Sequence, residues 1–120
     1  MNVAVVDNGR NLKTFARVED AELGSIDIVI DKVFTSASFL VSTQDLTDMA
    51  QPGQPLFGLN TTNDGRVVIF AGGIPLMPDG EVVGAIGVSG GTVEQDQEVA
   101  EAGVEAFQPL VTDVRFSAPP

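Results

Sequence analysis

The sequence predicts an α+β domain in which an antiparallel β-sheet of about five strands is flanked by α-helices. Hairpin signals join apolar strand segments in both halves of the chain, and no helical segment separates the strands predicted between residues 64 and 89. Strands joined by hairpins form antiparallel sheets, whereas a parallel sheet needs a crossover between successive strands. Apolar residues at helical spacing in the middle and near the end of the chain supply the flanking helices.

The chain opens with a predicted β-hairpin. Residues 3–6 are apolar, and residues 12–17 alternate in polarity as a half-buried strand does. Asn8-Gly9 lies between them and is a strong hairpin signal, because the commonest two-residue turn needs positive φ at both central residues.

Two helices are predicted to follow. Residues 21–40 contain isoleucines that alternate like a strand, but their apolar positions also recur at helical spacing. The length of this segment and the lack of a turn residue favour a helix, with Ser25 as its cap. Residues 43–50 form a second, short helix that Ser42 or Thr43 can cap.

The next part of the sequence predicts a three-stranded meander after a long irregular loop. Strands are expected at residues 66–70, 74–77 and 81–88. Glycine-rich and proline-containing turns separate them. These three strands and the first hairpin make up the predicted sheet.

A last helix is predicted over residues 93–107. Thr92 and Gln95 stand at the two positions of a capping box at its start. We therefore expect a single domain over residues 1–107, followed by a C-terminal tail over residues 108–120.

The net charge of −11 arises from 17 acidic and 6 basic residues spread along the chain. Such a surface repels phosphate backbones and anionic lipids, which argues against nucleic-acid and membrane partners. No apolar segment approaches the roughly 20 residues that span a bilayer, and no basic signal-peptide start is evident. We therefore expect a cytoplasmic protein.

Histidine, cysteine, tyrosine and tryptophan are all missing from the sequence. A Ser-His-Asp triad, a thiol nucleophile and a disulfide are thus excluded within one chain. The commonest metal ligands are missing as well, so no metal site is predicted.

One loop and one acidic residue stand out as candidates for chemistry. Ser89-Gly90-Gly91-Thr92 follows a strand and opens a helix, so its N–H groups either hold an anionic ligand or form only a tight turn. Asp96 lies on the apolar face of that helix. There it either bonds backbone amides of the loop or contacts a ligand and carries a proton.

Two of the basic residues are further candidates. Lys32 lies beside Asp31 within the apolar helix, and Arg17 ends the first hairpin. Each is either a solvated ion-pairing side chain or a cation that receives an anionic group of a ligand.

Several segments match one family in order along the chain. They are Val3–Gly9, Phe15–Arg17, Ser25–Thr35, Phe57–Leu59, Val68–Leu76, Gly84–Gly91 and Asp96. Together they resemble the GlcG/HbpS-like family, which also includes the C-terminal domain of PduO-type proteins.

The resemblance implies an antiparallel sheet with flanking helices, homo-oligomers, and haem binding or haem degradation in some members. It also implies one pocket formed by the residues at family motif positions, namely Arg17, Lys32, Gly72, Gly73, Ser89, Gly90, Gly91, Thr92 and Asp96.

Three functions follow as hypotheses. The first is a small-molecule pocket in which Lys32 or Arg17 holds an anionic organic ligand and Asp96 carries a proton; whether a reaction is catalysed stays open. The second is a haem or tetrapyrrole binding module without catalysis, for which the chain offers no histidine, cysteine or tyrosine ligand. The third is a structural oligomer that has lost the pocket.

Overall fold

The computed structural model describes the backbone of residues 1–117 and the side chains of residues 1–107. The elements in chain order are β1 (Asn2–Asp7), β2 (Leu12–Arg17), α1 (Leu23–Phe39), α2 (Thr43–Met49), β3 (Gly73–Leu76), β4 (Gly84–Ser89) and α3 (Val93–Ser117). Two 3-10 turns, Leu59–Thr61 and Asn63–Gly65, lie in the loop between α2 and β3.

The strands form one sheet in the order β2-β1-β4-β3, and every neighbouring pair is antiparallel. The first strand therefore pairs with the last, which brings the start of the chain beside the turn that leads into α3. The predicted α+β class and antiparallel sheet are confirmed, although the sheet has four strands rather than about five.

The predicted strand at residues 66–70 is wrong, and this accounts for the difference in strand number. Val67 and Val68 are buried as a strand would bury them, but side-chain hydroxyls take the place of a partner strand. The Val68 N–H donates to Thr35 Oγ1 at 3.0 Å, and the Thr47 hydroxyl donates to the Ile69 carbonyl at 2.8 Å. The extended segment is thus tied to α1 and α2 and does not join the sheet.

The two long helices cover opposite faces of the sheet. Ala4, Val6 and Ala85 form the core with Val29 and Val33 of α1. Ile86, the residue after Ala85, points to the other face, since side chains alternate along a strand. There it meets α3 so closely that a Cβ at Gly103 would clash with Ile86 Cδ1.

The edge strand β2 is exposed along its whole length. Its apolar residues Leu12 and Phe15 are exposed with it. The homo-oligomer that the resemblance implies stays a prediction. Among the helices that the structure describes, none has the length and apolar character that crossing a membrane requires.

The helix starts show which capping predictions hold. Ser42 caps α2 by accepting from the Asp45 N–H at 3.1 Å. Ser25 does not cap α1: the cap position is Glu22, and Ser25 lies buried inside the first turn. The Ser25 hydroxyl instead donates to the Glu22 carbonyl at 2.5 Å and accepts from Asn2 Nδ2 at 2.7 Å.

The start of α3 matches the predicted capping box. The Gln95 N–H donates to Thr92 Oγ1 at 3.1 Å, and the Thr92 N–H donates to Gln95 Oε1 at 3.0 Å. The helical backbone runs to Ser117, beyond the end predicted at Phe107. The predicted tail therefore starts as helix, and its last residues, 118–120, lie outside the described part of the chain.

The first hairpin forms as predicted, but through different turn geometry. Arg10, not Asn8 or Gly9, has positive φ, at 66°. The Asp7 carboxylate explains this, because its Oδ1 accepts from the Gly9 N–H at 2.9 Å and the Asn11 N–H at 3.0 Å. These bonds hold the turn in a wider loop than a two-residue connection.

We expect Asp7→Asn to lower Tm at neutral pH, because the turn amides bond a carboxylate more strongly than an amide oxygen. The N–H of Asn11, above all, lowers the pKa of Asp7 below its ordinary value of 3.8. The folded state therefore binds fewer protons than the unfolded chain just below this pH, so the stabilisation is present above it and lost on acidification.

Thermal unfolding of both proteins across this pH range measures the effect. The Tm difference should shrink as the pH falls below 3.8. Asp20→Asn, at an exposed aspartate after β2, is the control for loss of one negative charge. A difference that is constant with pH contradicts the assignment.

Candidate functional site

A cleft of about 260 Å³ opens between the first half of α1 and the loop that joins β4 to α3. Phe70 closes one side of it. The residues that line the cleft are Glu22, Gly24, Ser25, Ile28, Lys32, Phe70, Ser89, Gly90, Gly91, Val93 and Asp96. Polar groups thus converge on a concave surface that also has apolar walls.

Lys32 forms the floor of the cleft. It lies one helical turn after Ile28 on α1, so the two side chains project from the same helix face. Its Nζ donates to Asp96 Oδ2 at 3.1 Å and to the Val88 carbonyl at 2.8 Å. The ammonium also lies 5.2 Å from the centroid of the Phe70 ring.

Asp96 is the partner of this lysine and lies in the first turn of α3. Its Oδ1 accepts from the Gly91 N–H at 2.9 Å while Oδ2 faces Lys32. The predicted contact between Asp96 and the glycine loop is therefore present. Each carboxylate oxygen has a donor, which is the condition for burying the charge.

The ion pair is shielded from solvent, with side-chain exposures of 1% for Lys32 and 4% for Asp96. Burial lowers the pKa of the Lys32 ammonium, and the Asp96 carboxylate opposes that shift through its hydrogen bond and charge. The interpretation of Lys32 as a solvated partner of Asp31 is wrong. Asp31 instead lies 3.6 Å from Arg66 Nε, since adjacent residues on a helix point in different directions.

Gly72 and Gly73 lie against Lys32, and their lack of a side chain leaves room for it. Gly72 has φ of 126°, and a Cβ there would lie 2.6 Å from both Lys32 Nζ and the Val88 carbonyl oxygen. At Gly73, a Cβ would lie 2.8 Å from the Lys32 carbonyl oxygen. Neither glycine lines the cleft, and both let the β3 backbone approach α1 closely.

The loop after β4 contributes three of its four predicted residues to the cleft lining. Ser89 is fixed by donating to the Ser25 carbonyl at 2.6 Å, and Asn2 Nδ2 donates to both serine hydroxyls. Gly90 and Gly91 form the rim. Thr92 lies outside the lining and serves the capping box, so its contribution is to hold the start of α3.

Arg17 is not among the residues that line the cleft. Its guanidinium donates through Nε and Nη2 to the Ala21 carbonyl, at 3.0 and 2.6 Å. These bonds fasten the end of β2 to the segment before α1. Of the two predicted cations, the structure brings only Lys32 together with Asp96.

Phe70 and Ile28 are cleft residues that sequence analysis missed. Phe70 ends the predicted strand at residues 66–70, which does not form, and that prediction gave no reason to expect Phe70 at the cleft. Ile28 and Ser25 precede Lys32 by four and seven residues, the spacing of one helix face, which was the available signal. No group of acidic side chains suited to a metal ion occurs in the part of the chain that the structure describes.

The model of the family described as "Haem degrading protein HbpS-like" matches residues 1–105. A Citrobacter freundii protein, described as an uncharacterized 15.0 kDa protein in the dhaT-dhaS intergenic region, is 46% identical over 107 residues. That match covers 89% of this chain and 75% of the relative.

Two crystal structures are also similar. Klebsiella pneumoniae ORFY gives a TM-score of 0.86 at 42% identity, covering 88% of this chain and 73% of that one. The PduOC:heme complex gives a TM-score of 0.84 at 37% identity, covering 88% and 76%. The fold around the cleft is thus shared with proteins of clear sequence similarity.

We expect Asp96→Ala to lower the free energy of unfolding by about 3–5 kcal/mol, because it leaves a buried ammonium without its carboxylate. The double variant Lys32→Met/Asp96→Leu removes both charges and should recover most of this loss. Chemical denaturation of the wild type, Lys32→Met, Asp96→Leu and the double variant measures the coupling. Additive losses in the double variant would show that the two side chains do not act as a pair.

Gly72→Ala should destabilise the protein by about 2 kcal/mol or more, since a side chain at positive φ is strained and its Cβ would clash beside Lys32. Gly24→Ala is the matched control, because nothing lies within 4 Å of a Cβ there. In a helix this control should be neutral or stabilising by roughly 0.5 kcal/mol. Equal effects of the two substitutions on denaturation midpoints would refute the packing role of Gly72.

Proposed function

This chain belongs to the HbpS-like family, and from that premise we propose that it binds a small organic molecule in the cleft, through a ligand oxygen that accepts a hydrogen bond from Lys32. The observation that carries the proposal is the number of hydrogen-bond acceptors around the Lys32 ammonium group. It has three N–H donors, and two described acceptors, Asp96 Oδ2 and the Val88 carbonyl, lie within reach. One donor remains for a ligand at the cleft floor.

The walls of the cleft suit a ligand with an apolar body. Ile28, Phe70 and Val93 supply apolar surface, while Ser89 and the glycine loop supply polar groups. A few polar groups within a mainly apolar concavity are the usual composition of small-molecule sites. The body of the ligand would therefore contact Phe70 while its oxygen faces Lys32.

The charges in the cleft decide which oxygen is preferred. Asp96 neutralises Lys32 within the ion pair, Glu22 adds a negative charge at the rim, and Arg17 lies outside. A carbonyl or hydroxyl oxygen meets less repulsion here than a free carboxylate does. The proposal therefore covers small hydroxy, oxo and aldehyde compounds. The sequence suggested an anionic ligand, and the charges of the cleft favour a neutral oxygen instead.

A tetrapyrrole is the second candidate, favoured by the solved haem complex of the PduO relative. The cleft does not fit ligation of haem iron. The chain has no histidine, cysteine or tyrosine, and none of its three methionines, Met1, Met49 and Met77, lines the cleft. Met1 lies beside the rim, where its Cε would be 2.7 Å from a Cβ at Gly91. The volume of about 260 Å³ also lies just below the range of about 300–1,000 Å³ that small-molecule pockets span. A compact ligand is therefore the better match.

Thermal-shift and calorimetric titration with a panel of small alcohols, ketones and aldehydes tests the proposal, and the matching hydroxy and oxo acids show whether a free carboxylate weakens binding. At 100-fold excess over Kd, a ligand of the folded state stabilises by about 2.7 kcal/mol, a clear increase in Tm. Binding should disappear in Lys32→Met and in Lys32→Met/Asp96→Leu, whose ion pair is replaced as a unit. Lys13→Met, at a lysine with 64% side-chain exposure, is the charge-matched control and should bind normally.

Hemin and metal-free protoporphyrin form separate arms of the same titration. A saturable Soret shift with hemin, together with no response to the small compounds, would overturn the small-ligand proposal in favour of the tetrapyrrole. A ligand whose affinity is unchanged by Lys32→Met would show that the cleft floor is not the binding site.

A further inference from the structure

We propose that Lys32 is a nucleophilic amine that forms an imine with a small aldehyde or ketone held in the cleft. This inference rests on the proposed function, because the carbonyl oxygen first has to reach the cleft floor. It adds a covalent step to the binding proposal and names the class of ligand as a carbonyl compound.

The surroundings of Lys32 Nζ provide the first argument. The Lys32 side chain is 1% exposed and belongs to a residue of the cleft lining, and its Nζ lies 5.2 Å from the centroid of the Phe70 ring. An amine in such a site is poorly hydrated, which favours its neutral, nucleophilic form. Burial lowers the pKa of the ammonium in the same direction.

Asp96 provides the second argument, because the amine needs a proton acceptor before it can attack. Asp96 Oδ2 lies 3.1 Å from Nζ, within hydrogen-bond reach for direct proton transfer. The Gly91 N–H holds the other carboxylate oxygen at 2.9 Å, so the acceptor is fixed in place. The Val88 carbonyl takes a second N–H of Lys32 and orients the amine.

Imine formation at Lys32 needs no reactant other than the carbonyl compound. One proton passes from the Lys32 ammonium to Asp96, and the nitrogen lone pair forms a bond to the carbonyl carbon. The carbonyl π electrons move to oxygen, which takes a second proton from nitrogen to give a carbinolamine. The hydroxyl then leaves as water with the proton from Asp96, and nitrogen and carbon form the double bond of an iminium ion.

The charge of the product also fits the site. Ammonium and carbonyl compound give iminium and water, so the step begins and ends with one positive charge beside the Asp96 carboxylate. The buried ion pair is preserved, and no unpaired charge is created in a desolvated site. A neutral imine would instead leave the carboxylate unpaired, which the iminium product avoids.

Reductive trapping tests the proposal, and the sequence makes the result easy to assign. The chain contains two lysines, Lys32 and the exposed Lys13. The protein is incubated at neutral pH with glycolaldehyde, propionaldehyde or hydroxyacetone in the presence of cyanoborohydride. Intact-mass analysis and peptide mapping then give the rate of alkylation at each lysine and at the N-terminal amine.

We expect at least one compound to alkylate Lys32 about tenfold or more faster than Lys13, because Lys32 is desolvated and has a fixed proton acceptor. The rate at Lys32 should saturate with carbonyl concentration, since binding precedes attack. Lys13→Arg should leave it unchanged. Asp96→Asn should slow it, with circular dichroism confirming that the variant is folded.

Equal or faster alkylation of Lys13 in the wild type would overturn the imine proposal, and so would a Lys32 rate that never saturates. This comparison within one protein needs no variant to fold. Saturable binding that depends on Lys32 but gives no trapped adduct would remove the imine and leave the proposed function standing. Absence of both binding and adduct would remove both.

Discussion

The buried ion pair between Lys32 and Asp96 is the constraint around which the rest of the site is arranged. It joins α1 and α3, the two helices that cover opposite faces of the sheet, at the point where β4 ends. Burying two charges costs several kcal/mol per ion unless each is fully hydrogen-bonded. Val88 and Gly91 supply the additional backbone partners. Val88 and Gly91 both belong to the short stretch in which the chain passes from β4 into α3, so the ion pair ties this stretch to α1.

The glycines and the helix cap are consequences of the same constraint. Gly72 has no Cβ because Nζ and the Val88 carbonyl occupy that space, and its N–H donates to Gln97 on α3 at 3.0 Å. Thr92 and Gln95 fix the first turn of α3, which sets the position of Asp96 relative to Gly91. A side chain at Gly72 or a frayed helix start would move one member of the pair away from the other.

Sequence reasoning succeeded where the deciding contacts are local and failed where they are distant. The spacing of Asp96 from the capping box and the apolar face placed it correctly near the glycine loop, because a helix fixes such positions over a few residues. Residues 66–70 have the composition of a strand, but their partners are the hydroxyls of Thr35 and Thr47, far away in sequence. Arg17 lies opposite Asn2 in the sheet, but its guanidinium donates to the Ala21 carbonyl and does not line the cleft. The burial of Lys32 had no local signal, since Asp31 beside it suggested a surface pair.

Stability alone does not explain why this pair lies at the wall of a cleft. A buried ion pair is often replaceable by apolar residues of similar volume without loss of stability, so the fold does not need charges at this position. In the proposed function the lysine offers a donor to a ligand, and in the proposed imine step it exchanges a proton with the carboxylate; apolar residues could do neither. The contacts that hold the pair rigid also fix the distance between donor and acceptor. The structural and chemical roles of Asp96, which the sequence posed as alternatives, are therefore compatible in one arrangement.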